Sequence, residues 1–394
     1  MVHRWQRNKQ ARPAPGRGRD PTAKAAGGLP RRARLLALWP VRCLFGGIWG
    51  LRARLRAGRA GPALARVRRP VDHVIILDGT LSTLTRGQET NAGLTYKLLR
   101  DRMPTARLAL RYEPGIQWQD WRGSMDVIQG RGINRQIRRA YGALASRWRP
   151  GDRIYLFGYS RGAYAVRSLA GIIDSVGLLR PEHATERWVE QAYRHYRAAP
   201  NSPTARAFRR SYCHDDVPIE MIGVWDTVKA LGLRLPIIWR WSEGAHAFHS
   251  HDLGLSVRRG YHALALDETR DAYAPVLWTT PPGFAGEIVQ MWFPGTHGDV
   301  GGQLGGDDRA RPLSNLPLTW MLDRAEAAGL DLPPGWRARF PVDATAPSVG
   351  TLRGWGKFFL ARHARVVGCD PSEAIHPAAE APQPIASGTL TADV

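Results

Sequence analysis

The sequence predicts an α/β fold: a mostly parallel sheet with helices on both faces. Three observations predict it. Short, continuous apolar runs occur at Val74-Ile75-Ile76-Leu77 and Ile154-Tyr155-Leu156-Phe157, the texture of strands buried on both faces. Between them Ile133, Ile137, Tyr141, Leu144, Ala145 and Trp148 recur at helical spacing and stop at Pro150-Gly151. The second run leads through Gly158-Tyr159-Ser160-Arg161-Gly162 straight into another helical pattern, Ala163 to Val176.

At 394 residues with 43% hydrophobic and 23% charged residues, the chain can bury a large core and is not wholly disordered or multiply membrane-spanning. Residues 1–70 hold 18 Lys and Arg against one acid, Asp20. They therefore carry +17 of the formal +22, and the other 324 residues carry +5. Residues 1–30 are rich in Arg, Pro, Gly and Ala, and disorder is expected. Residues 35–51, LLALWPVRCLFGGIWGL, are apolar with basic flanks. A membrane span is disfavoured because Pro40 interrupts the run and Arg42 lies near its middle, where a cation costs roughly 2.5–3.5 kcal/mol. A secretory signal is disfavoured by Arg52, Arg54, Arg56 and Arg59 just beyond it. Two readings stand for this basic leader: peripheral membrane contact through residues 31–69, or a solvated Arg-rich arm. No recognition motif accompanies the charge, so nucleic acid is not an expected partner. Cys43, Cys213 and Cys369 are too scattered for a disulfide framework.

From Val71 the texture becomes globular, and a domain over 71–378 with a flexible 379–394 tail is expected. Leu108 to Arg111, Ile219 to Val224 and Glu287 to Phe293 are further strands. Residues 180–215 read as a two-helix cap insertion.

Gly158-Tyr159-Ser160-Arg161-Gly162 fits G-x-S-x-G between a strand and a helix, the nucleophile elbow of the α/β-hydrolase fold. The two glycines let chains pass close to a strained turn that lifts the Ser160 hydroxyl above the sheet edge. A serine nucleophile needs a base, and the base needs an orienting acid, in the order serine, acid, histidine. Asp226 ends the strand Met221-Ile222-Gly223-Val224-Trp225, and His297 follows Val289-Gln290-Met291-Trp292-Phe293 in a Gly-rich loop. Helix capping by Asp226 and a plain surface role for His297 are the alternatives. The backbone N–H of Arg161 and that of Gly79 or Thr80, after Asp78, are the expected oxyanion donors.

Ile76-Leu77-Asp78-Gly79-Thr80 also resembles a phosphatase loop, but the attacking Asp of that loop is here Ile76. His246, His249, His251 and Asp252 lack a partner cluster at metal-site spacing, and a metal on His297 and Asp299 would take the base from Ser160. No cofactor and no metal are required.

Six blocks together resemble one family: ILDGT (76–80), PGDRIYLFGYSRGAYAVRSLAGII (150–173), IGVWDTV (222–228), YHALALDETR (261–270), WFPGTHGDVGG (292–302) and LSNLPLTWMLDRAEAAGL (313–330). They are similar to the α/β-hydrolase domain that is the catalytic part of type VI secretion phospholipase effectors. The resemblance implies a Ser160, Asp226, His297 triad, with Asp299 as the second acid of the histidine loop, orienting that loop. It also implies a phospholipid or other ester substrate. After Ile375-His376-Pro377 the family has Ser-Val, whereas this chain has Ala378-Ala379.

The expectation is a serine esterase or lipase working through an acyl-enzyme. Glu182 to Tyr212 would form the cap, and Trp239 and Trp241 would wall an acyl chain. A soluble carboxylesterase on small esters, or a non-catalytic membrane-associated protein of this fold, are the alternatives. The expected location is the bacterial cytoplasm, the membrane periphery or, as an effector, outside the cell. The sequence names no secretion or immunity partner.

Overall fold

The computed structural model describes residues 68–103, 107–115, 131–228, 253–352 and 361–380. The basic leader with its apolar run, Trp239 and Trp241, the cluster from His246 to Asp252, and the tail from 381 lie outside the described residues.

Seven strands form one sheet, in the order β2-β1-β3-β4-β5-β6-β7. They are β1 (Asp72–Leu77), β2 (Leu108–Glu113), β3 (Arg153–Tyr159), β4 (Met221–Trp225), β5 (Arg259–Ala265), β6 (Glu287–Phe293) and β7 (Glu373–Ile375). Every pairing is parallel, so all strands end at one edge, and the loops leaving that edge converge.

Side chains alternate across the sheet with the period of two that strands impose. Ile75, Leu77, Ile154, Leu156, Ile222 and Val224 face one core. It is closed by α2 (Arg131–Ala145) and α3 (Arg161–Ser175), through Ile137, Leu144, Val166 and Leu169. Val74, Ile76, Tyr155, Phe157, Met221 and Trp225 face the other core. There α1 (Asn91–Arg100) contributes Leu98 and Leu99. The long helix that follows β6, Arg311–Ala327, contributes Leu318, Met321 and Leu322.

The two helices expected between Ser160 and Asp226 form as α4 (Glu186–Ala198) and α5 (Pro203–Tyr212). They pack on the helical layer: Tyr193 donates to Asn134 of α2 at 2.7 Å, and Tyr196 and Phe208 join the α2–α3 core. A short helix, α6 (His297–Gly301), follows β6 and precedes that long helix, α7. Two elements not read from the sequence complete the sheet. Strand β5 starts with Arg-Gly and carries a mid-strand His, so its apolar run is broken. Strand β7 is only three residues long.

Candidate active site

Strand β3 ends at Tyr159 and α3 begins at Arg161, so Ser160 alone makes the turn. Its φ of 56° and ψ of −119° lie where a residue with a Cβ is strained by about 1–3 kcal/mol. The turn persists because its surroundings fix it. Ser160 N–H donates to the Trp225 carbonyl at 3.0 Å. A Cβ on Gly158 would lie 2.7 Å from Ala163 Cα, and one on Gly162 only 2.1 Å from the Leu77 carbonyl oxygen. No side chain fits at either glycine, as the sequence implied.

His297 opens α6 behind Thr296. Asp299 organises this loop, accepting from Thr296 N–H at 2.8 Å, Thr296 hydroxyl at 2.8 Å, Ser348 hydroxyl at 2.6 Å and Val349 N–H at 2.9 Å. Its carboxylate is engaged by loop donors. His297 N–H donates to Glu268 at 3.2 Å, and its carbonyl accepts from the Tyr159 hydroxyl at 3.2 Å. Tyr159 and Tyr273 flank the imidazole, with ring centroids 4.9 and 4.6 Å away.

Asp226 follows β4 with φ +39°, a second strained turn. Its N–H donates to the Ala263 carbonyl at 2.8 Å, and the next N–H, of Thr227, donates to His262 Nε2 at 3.0 Å. An imidazole that accepts there must be neutral, and burial pushes His262 down to about 3.

The three loops bring the predicted residues together. Ser160 Oγ lies 2.9 Å from His297 Nε2, and His297 Nδ1 lies 2.5 Å from Asp226 Oδ2. Ser160 is 7% exposed, His297 4% and Asp226 0%, so the acid is sealed and the serine is the most accessible of the three.

The sequence did not single out Arg365. Its guanidinium donates to Asp226 Oδ1 at 2.5 Å and to Oδ2 at 2.9 Å. Burial acts to raise the Asp226 carboxyl. The Arg365 charge and the hydrogen bonds from His297 and Arg365 outweigh it and hold the group well below the usual carboxylate range.

Asp78 follows β1 and is buried. Its Oδ1 accepts from Gly79 N–H at 2.7 Å, and its Oδ2 from the hydroxyls of Thr90 and Tyr112, each at 2.7 Å. Burial still pushes its carboxyl up to about 6. A Cβ on Gly79 would sit 3.4 Å from Ser160 Cβ, which places this loop beside the serine. Gln303, just past α6, donates to the Thr80 carbonyl at 3.0 Å and ties the two loops together. Arg161 is half-buried at the elbow, near Tyr273 and Tyr159, and no carboxylate among the described residues pairs with its guanidinium.

Residues 72–324 match the family model described as the catalytic domain of Tle1-like phospholipase effectors of the type VI secretion system. The chain belongs to this family. The family model describes its members as phospholipase effectors. The uncharacterized protein YEL023C of Saccharomyces cerevisiae is 27% identical over 235 residues, covering 53% of this chain and 33% of that protein. Among solved structures, an uncharacterized protein from Pseudomonas aeruginosa aligns with a TM-score of 0.40 and 16% identity, over 77% of this chain and 52% of that one. A Tle1 effector bound to the VgrG spike aligns with a TM-score of 0.32 and 18% identity, over 60% of this chain and 51% of that one. The chain thus spans about a third of the yeast relative and about half of each solved chain.

Proposed function

We propose that this protein is a serine hydrolase that cleaves a carboxylic ester of phospholipids. The observation that carries the reading is the continuous chain from Ser160 Oγ through both nitrogens of His297 to Asp226, set on a strained elbow. Ser160 attacks the ester carbonyl while His297 Nε2 takes its proton. Asp226 holds the Nδ1 proton and stabilises the imidazolium that results. The tetrahedral oxyanion falls between Arg161 N–H, which opens α3 with no intrahelical acceptor behind it, and the loop after β1. On that loop Thr80 N–H is the donor, because Gly79 N–H is already given to Asp78. Collapse passes the Nε2 proton to the departing alcohol. Water, activated by the same imidazole, then hydrolyses the acyl-enzyme.

Phospholipid is favoured over a small neutral ester by the family and by Arg161. A half-buried guanidinium beside the nucleophile, unpaired among the described residues, offers a countercharge to a phosphodiester. The family's description as type VI secretion effectors supports work outside the producing cell, as a delivered effector. The basic residues of 31–69 would add attraction to an anionic leaflet.

The test is hydrolysis of defined phospholipid vesicles by wild type and Ser160→Ala, with products identified by mass. Wild type should release lysolipid or fatty acid, and the variant should lose about 10⁴–10⁶-fold. Equal turnover by the two proteins would refute the reading. Turnover of short soluble esters with intact vesicles would favour the carboxylesterase alternative.

A further inference from the structure

We propose that Arg365 is a positioning residue for this site: its fork fixes the Asp226 carboxylate toward His297 and sets how strongly that carboxylate supports a protonated imidazole. The proposal rests on the serine-hydrolase reading above. Residue 365 lies beyond the stretch 72–324 that matches the family.

The residues around Arg365 are mostly at the surface: Ala361, His363, Ala364 and Val366 are all exposed. From this surface strap one long side chain turns inward and becomes 4% exposed. The strap is anchored just before residue 365. His363 N–H donates to the Thr269 carbonyl at 2.8 Å, and Arg362 donates to the Thr351 hydroxyl at 2.8 Å. The two terminal nitrogens of the Arg365 guanidinium each donate twice. Besides both Asp226 oxygens they reach the Ala265 carbonyl at 2.7 Å and the Tyr273 carbonyl at 2.6 Å. A cation that served only to neutralise a buried acid could stop at Oδ1. Arg365 also occupies Oδ2, the oxygen that meets His297 Nδ1.

That sharing has a chemical effect. When Ser160 gives up its proton, an imidazolium forms against a carboxylate whose charge is partly spent on a guanidinium. The guanidinium also repels the new cation. The imidazolium is therefore less stabilised than it would be beside an unshared Asp226. The other groups facing His297 are Ser160, Tyr159, Tyr273 and Glu268, and Glu268 is itself paired with Arg270 at 2.6 Å. Behind Asp226 stands the neutral His262. Among these described groups, Arg365 is the cation that touches the carboxylate.

The experiment uses the full chain with Arg365→Gln and Arg365→Lys. It follows kcat/KM against pH on a short p-nitrophenyl ester and, without substrate, the His297 Nδ1–H resonance by NMR. In R365Q the acid limb of kcat/KM should move up by about one pH unit. Its kcat should fall about 10²-fold as the carboxylate loses its fixed orientation. The Nδ1–H resonance should shift with it. R365K keeps the charge but not the fork, so it should return the acid limb to near wild type while kcat stays reduced. A folded R365Q with an unchanged limb and an unchanged resonance would overturn the proposal. If R365Q does not fold, an R365K protein with wild-type kcat and resonance would overturn it. Ser160→Ala, run on the same ester, separates the two claims. Turnover that survives it removes the serine-hydrolase reading, while the resonance still decides what Arg365 does to His297.

Discussion

Gly162→Ala sets two preferences against each other at the start of α3. Helix propensity alone favours alanine by about 1 kcal/mol. Packing opposes it. The added Cβ would sit 2.1 Å from the Leu77 carbonyl oxygen and 2.6 Å from that of Asp78. Both are backbone atoms, so α3 and the end of β1 must separate by about 1 Å or more to reach van der Waals distance. Strand β1 is paired on both sides and buried along its length, so it cannot yield cheaply. An overpacking cost at the top of the usual 1–3 kcal/mol range wins over propensity, leaving a net loss of about 2 kcal/mol. For a domain of this size that lowers the melting temperature by about 3 °C. The segment that must move leads into Thr80, the proposed oxyanion donor, and a displacement of about 1 Å there costs about 10²-fold in kcat. Scanning calorimetry and p-nitrophenyl ester kinetics on G162A read both quantities. A raised melting temperature with unchanged kcat would show that the elbow tolerates a side chain and that the close approach is not what shapes it.

Two further outcomes follow from charges at the site. Asp78 binds its proton at about 6 in the fold against 3.8 when unfolded, so between those values the native state holds the extra proton. The contribution of Asp78 to stability therefore falls as pH rises from about 4 to about 6, by at most about 3 kcal/mol. Asp78→Asn removes that dependence, and its melting temperature relative to wild type should climb across the same window; a flat difference would refute the burial effect. Arg161→Gln leaves the backbone N–H in place but removes the countercharge. It should lose about 10–100-fold more kcat/KM on phospholipid than on p-nitrophenyl butyrate. Equal losses on both substrates would show that Arg161 does not read phosphate.

What was legible in the sequence was local. The elbow at Ser160 announced itself because an apolar strand, a glycine pair and a helix sit side by side, and each constrains the same turn. Asp226 and His297 could be found because strand ends and a Gly-rich loop mark the edge where parallel strands must gather their loops. The helix bounds were displaced by a few residues, as with α2 at 131–145, because terminal turns carry little apolar signal. Strand β5 escaped notice for a different reason: His262 in its middle reads as polar, yet in the fold it is neutral and fully buried as the acceptor of Thr227 N–H. Helix α7 carries Pro317 internally, which reads as a breaker. Arg365 gave no signal. It lies in a chain rich in arginine, in a segment without periodicity, and its partner is 139 residues away. The commitment of Gly79 N–H to the neighbouring carboxylate was likewise beyond pattern reading, since it depends on a side-chain torsion.

The strap's place downstream of all three triad residues bears on how the molecule is made. A ribosome extrudes the elbow, the acid and the imidazole well before residue 365 emerges. During that interval the sealed carboxylate has the imidazole and one backbone amide for company, and the guanidinium arrives last. Maturation of the reactive centre thereby waits for residue 365, so a chain cut short soon after α7 would carry the nucleophile without its full electrostatic setting.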